Sequence, residues 1–221
     1  MPVPPPADDP EWVAWYLLFC LGLLVLVKSM AFPRMVRIVQ STFSSQILQQ
    51  LEREEVNLFR PYALALNFLF VVNVAFLIYK VNERSPFVLP DSPAFHQFVF
   101  MLGAVLLLAL FRLTANWIVG NVTNNQKLVS EYTVSSTLVN QTFGLLLFPC
   151  LAILQFSDVL PAVFFWIAVV IVSLSVLLRW YRGLLMCAGE QRLGFVQIFS
   201  YFCALEILPV LVLVKYVVET Y

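Results

Sequence analysis

Six apolar runs, each near the length needed to cross a bilayer, constrain this chain more than anything else in it. A helix needs about 20 consecutive apolar residues to span the hydrocarbon core. By that measure the runs are Trp12 to Phe32, Pro61 to Tyr79, Phe95 to Trp117, Val139 to Phe156, Pro161 to Trp180 and Ser200 to Val218. The fourth is the shortest. Hydrophobic side chains make up 61% of the 221 residues and charged ones 12%, which places the chain in the multi-pass membrane class. The expected fold class is an all-α membrane protein, because a helix satisfies its own backbone hydrogen bonds in lipid. One membrane domain is expected over residues 12–218, between a tail at 1–11 and a short end at 219–221. The tail is rich in proline and acid and has no basic segment before the first run, so the first span reads as retained rather than as a cleaved signal peptide.

The connections alternate long and short, which suggests three helical hairpins packed as a bundle. In each hairpin the first helix ends on a basic residue after an aliphatic run: Lys28, Arg112 and Arg179. The second helices correspond in outline, so that Asn67 aligns with Glu206 and Pro149 with Pro209. The competing explanation is that any six-helix protein with basic loops on one side shows such spacing by chance.

Loop charge gives an orientation. The connections after the first, third and fifth runs, with their flanks, hold ten basic residues, and the opposite side holds only Lys80, Arg84 and Lys215. The positive-inside rule then puts the three long connections in the cytoplasm and both termini outside. The largest cytoplasmic piece, 34–59, carries Val36, Val39, Phe43, Ile47 and Leu51 at spacings of three and four. With Pro33 before it and Pro61 after it, it reads as a separate amphipathic helix whose stripe packs on the other inward connections or on the membrane surface. Residues 119–141 read as a second polar connection. Its two glycosylation triplets, at Asn121 and Asn140, carry no weight on the cytoplasmic side.

Glu206 is the foremost candidate for chemistry. A carboxylate in an apolar run normally faces protein or water, and Pro209 frees the Leu205 carbonyl beside it. Counted from Ser200 it lies about 9 Å into its span, and Arg112 lies at a matching depth, about 25 Å from the start of the third run. A pair of Glu206 with Arg112 or with Asn67 is geometrically allowed. Two readings stand: a buried polar clamp that fixes helix register, or a proton or cation relay. Asn67, Asn73 and Asn116 are further intramembrane polar positions, read as interhelical hydrogen bonds. Pro149 and Pro209 are candidate kinks. Val39, Phe43 and Ile47, with Glu190 and Arg192 in the last inward connection, are candidate cytoplasmic contacts.

His96 is the single histidine, and Cys20, Cys150, Cys187 and Cys203 form no C-x-x-C pair, so no metal site and no cofactor is expected. A phosphate loop, G-x-S-x-G and H-E-x-x-H are all lacking. The expectation is a protein that is not an enzyme. Zero formal net charge gives no reason to expect a nucleic-acid partner.

The ending Cys203-Ala-Leu-Glu-Ile-Leu-Pro-Val-Leu-Val-Leu-Val-Lys215 resembles the close of an uncharacterised multi-pass family, a domain of unknown function from the bacterial phylum that glides and uses type 9 secretion. The resemblance implies an inner-membrane address in a Gram-negative cell and brings no established activity. The expected function is a non-enzymatic subunit or assembly factor of a larger membrane complex, with an energised envelope machine such as type 9 secretion or gliding as one setting. Its expected partners are the lipid bilayer and other integral membrane proteins. The alternative is a small transporter, or a proton- or cation-coupled component, using Glu206.

Overall fold

The computed structural model describes residues 11–43, 61–84, 92–122, 126–156 and 161–189, and the regular structure among them is entirely helical. In chain order the helices are α1 (Glu11–Phe43), α2 (Pro61–Arg84), α3 (Ala94–Val122), α4 (Gln126–Phe156) and α5 (Pro161–Gly189). All five are long and apolar enough to cross a membrane, and we read the chain as a multi-pass membrane protein. The sixth run, Ser200 to Val218, and with it Glu206 and Pro209, lies outside the described residues. So do Ile47, Glu190 and Arg192.

Proline fixes several boundaries. Pro61 and Pro161 each open a helix, where the missing N–H costs nothing. The Pro93 carbonyl accepts from the His96 and Gln97 amides and so starts α3. Pro33 acts from inside: Ala31 leaves helical geometry (φ −151°, ψ 37°), so α1 is two helical segments joined at a break. That break separates the first span from the segment after it, as the sequence suggests. Pro149 has a milder effect, and α4 continues through it to Phe156.

The fourth helix corrects the sequence reading. It starts at Gln126 rather than near Val139, and the stretch expected as a polar connection is continuous helix from Gln126 on. From Tyr132 on, several of its polar residues are inside: Tyr132, Ser135, Ser136, Gln141 and Thr142 are all buried. A polar residue in a membrane bundle is driven inward to find partners rather than outward into lipid. Polarity here marks the core face.

α2 and α4 form the centre. Half or more of the apolar window of each is buried, against less than a fifth for α3 and α5. α4 packs against all four of the other helices, most extensively against α5 and α2. The most extensive packing, α4 on α5, joins helices that the hairpin reading puts in different units. The large apolar side chains of α3 and α5, such as Leu107, Trp117, Val170 and Leu177, point outward, as expected of helices in lipid.

Candidate functional site

Polar side chains from α3 and α5 converge on the first half of α4, and one of them also reaches a backbone carbonyl of α1. From α3, Arg112 donates to the Tyr132 hydroxyl at 3.1 Å and to Ser136 Oγ, with its guanidinium 5.8 Å from the Tyr132 ring centroid. One turn along α3, Asn116 Nδ2 donates to Thr133 Oγ1 at 3.3 Å. From α5, Arg179 donates to Asn140 Oδ1 at 3.1 Å. Arg182, also on α5, donates to Ser135 Oγ at 3.3 Å and to the Ser41 carbonyl of α1 at 3.1 Å. Tyr132, Ser136 and Asn140 recur every four residues and so share one face of α4. Arg112 meets one end of this row and Arg179 the other.

Further along α4 the seam continues with uncharged groups. Thr142 Oγ1 lies 3.3 Å from the Ile38 carbonyl of α1 and 3.1 Å from its own Leu138 carbonyl. Gln141 Nε2 donates to the Ala63 carbonyl of α2 at 3.3 Å. Near mid-bundle stands Asn73, fully buried on α2. Its Oδ1 accepts from the Tyr16 hydroxyl at 2.8 Å, with the Cys20 thiol at 3.8 Å, and its Nδ2 donates to the Gly144 carbonyl at 3.1 Å. One amide thus ties α1, α2 and α4 together. Gly144 makes this possible, because a Cβ there would lie 2.9 Å from Phe70 Cβ and 3.0 Å from Phe70 Cα. Only a residue without a side chain lets the two backbones come so close.

The residues singled out in the sequence fare differently. Arg112, Asn73 and Asn116 all lie in this seam, while Asn67 is half-buried on α2. Of the amphipathic stripe, Val36 is 41% exposed and Val39 half-buried, whereas Ile38 and Ser41 between and beyond them are buried. The Ile38 and Ser41 carbonyls accept from Thr142 and Arg182, so this part of the segment meets α4 and α5. Phe43 closes α1. His96 is exposed at the start of α3, with its ring 6.2 Å from that of Phe95. Cys20 and Cys150 are buried free thiols. Among the described residues no group of three or more His, Cys, Asp or Glu side chains is placed to hold a metal ion.

Sequence reasoning missed the receptors Ser135, Ser136, Tyr132 and Asn140, and it used Arg179 and Arg182 only for orientation. The available signal was a run of hydroxyls and amides at helical spacing next to arginines that close apolar runs. Chemically the seam is a set of donors matched to acceptors on neighbouring helices. Each such bond is worth on average about 0.6 kcal/mol in a membrane, so the set fixes register more than it adds stability.

No curated protein and no solved structure matches the chain. Residues 13–217, nearly the whole length, match a family described as a domain of unknown function, DUF4271, which agrees with the uncharacterised multi-pass family expected from the sequence. By that match the chain belongs to the DUF4271 family.

Proposed function

We propose that this protein is a non-enzymatic integral subunit or assembly factor of a larger complex in the bacterial inner membrane, with both termini periplasmic and the arginine-rich end cytoplasmic. The observation that carries this reading is the seam itself. Its arginines, hydroxyls and amides bind groups on adjacent helices, as in a frame that holds helices in register. The apolar outer faces of α3 and α5 then supply surface for lipid and for neighbouring membrane proteins. The excess of basic residues at the seam end supports the orientation. An envelope machine such as type 9 secretion or gliding is a setting that agrees with the family resemblance.

The test is purification of the full chain from native membranes in mild detergent. The proposal expects integral membrane proteins to co-purify in fixed ratio and to lose abundance when this chain is deleted. A monodisperse protein that retains no partner in detergent or in nanodiscs, and that drives solute flux in vesicles, would replace it with a transporter.

A further inference from the structure

Helix α1 turns at its break instead of continuing down the bundle. The Cys20 thiol lies 3.8 Å from Asn73, which holds the Gly144 carbonyl, and the Ile38 carbonyl meets Thr142, two residues before Gly144 on α4. Straight helix would set Cys20 and Ile38 about 27 Å apart along the axis. The break at Ala31 removes that separation, and Val27 and Ile38 join one buried cluster with Leu66 and Leu138. The second segment of α1 therefore runs across the bundle. It starts beside Tyr62 of α2, which accepts from Arg34, and reaches Arg182 of α5, which donates to the Ser41 carbonyl. Phe32, Pro33 and Val36 are left exposed on its outside.

Lys28 and Arg34 stand on either side of this turn, three residues before Ala31 and three after it. Lys28 is exposed, with its ammonium 6.0 Å from the Phe32 ring centroid. Arg34 is half-buried, 5.4 Å from the Tyr62 ring centroid, and a guanidinium has donors enough to bind the Tyr62 hydroxyl and an oxyanion together. No Asp or Glu occurs between residues 12 and 51, so the charge along this part of the chain is of one sign. Before Lys28, Leu18, Leu21 and Val25 recur at spacings of three and four and are all exposed. From Leu18 to Lys28 is about 15 Å of helix, half of a hydrocarbon core about 30 Å thick. An apolar lane one leaflet long that ends in two cations matches a phospholipid, with acyl chain along the helix and phosphate at the turn. We propose that α1 binds an anionic phospholipid of the leaflet at the arginine-rich end, its phosphate held by Lys28 and Arg34 and an acyl chain lying along Leu18, Leu21 and Val25. The site goes beyond the subunit reading, since it belongs to the chain alone whichever complex the protein joins.

The test uses the full chain in detergent, titrated with phosphatidylglycerol or with phosphatidylcholine of the same acyl chains, with bound lipid counted by native mass spectrometry. Phosphatidylglycerol should bind about ten-fold more tightly than phosphatidylcholine. Lys28→Gln should weaken its binding about five-fold, the worth of one cation near an anionic lipid surface. Lys28 is exposed, so this variant leaves the fold intact. Lys28→Gln with Arg34→Gln should abolish the preference between the lipids, and the single variant decides if the loss of the Tyr62 contact unfolds the double one. Lys80→Gln, which removes a cation paired with Glu83 at the opposite end, should change binding by less than about two-fold. Equal affinity for the two lipids overturns the proposal, and so does a Lys28→Gln effect no larger than that of Lys80→Gln. Release of the lipid by soluble glycerol phosphate at equal concentration also overturns it, since that would mark a site for a free phosphate.

Discussion

The two ends of the bundle are held together by different chemistry. At the end where α1 and α5 begin, rings do the packing. Trp12 stacks on Phe98 with centroids 5.0 Å apart and meets Tyr79 edge-on at 5.2 Å, and Tyr16 stacks on Phe76 at 4.3 Å. Charges at this end sit over rings or pair along the helix: Arg84 is 4.0 Å from the Phe165 centroid, and Lys80 pairs with Glu83 at 2.9 Å. At the opposite end arginines reach from α3 and α5 to hydroxyls and amides of α4. The ring cluster depends on shape, so a lost ring leaves a void. The arginine seam depends on direction, so a lost arginine leaves acceptors without donors. Lipid explains why both are needed. Helices in a bilayer gain little from hydrophobic burial against each other, so packing and hydrogen bonds must specify the arrangement.

The sharpest way to break the ring cluster is Phe76→Ala. Phe76 is fully buried and touches Trp12, Tyr16, Tyr79 and Phe98. The expected loss is about 3 kcal/mol, the low end for a deleted core ring, because in lipid the cavity term dominates. It would be read as a lowered midpoint of unfolding in detergent.

Gly144→Leu tests the junction between the two ends, since its side chain would enter the Phe70 backbone and pull α4 away from Asn73. A loss of about 2 to 3 kcal/mol is expected from overpacking. Asn73→Leu, which leaves the Gly144 backbone contact in place, should cost less. The reverse order would mean that the Asn73 hydrogen bonds, and not the close approach, hold the centre.

At the arginine end Arg112→Met should cost about 1 to 2 kcal/mol, because it leaves Tyr132 and Ser136 buried with a lost donor. Arg112→Lys should recover only part of this, since an ammonium lacks the fork that reaches both oxygens. A double-mutant cycle with Ser136→Ala measures the coupling directly, and a value near zero would show that the seam is incidental.

How much of this was legible in advance depends on the same contrast. Helix starts at Pro61 and Pro161 were readable because proline punctuates locally. α3 and α5 were readable because lipid-facing helices are apolar nearly all round. α4 was half missed: Tyr132, Ser135, Ser136 and Asn140 look like a solvated loop until the arginines that bind them come from other helices. Ile38 and Ser41 were not readable as the buried positions after the break for the same reason, since the Ser41 carbonyl meets Arg182 from across the bundle. Asn73 bonds to Tyr16 and to Gly144, which are 57 and 71 residues away in sequence, and nothing local points to them.

The central claim is that the polar face of α4 is a sealed helix interface and not a path through the membrane. Spin labels placed singly at Ser135, at Thr142 and at Ile153, in protein reconstituted into bilayers, test it by comparing collision with oxygen and with a water-soluble paramagnet. Ser135 and Thr142 are buried and Ile153 is exposed. The account predicts that the labels at Ser135 and Thr142 collide with neither reagent and that the label at Ile153 collides with oxygen alone. Strong collision of the Ser135 and Thr142 labels with the water-soluble reagent would contradict it, revealing a hydrated route along α4 and a protein built to conduct.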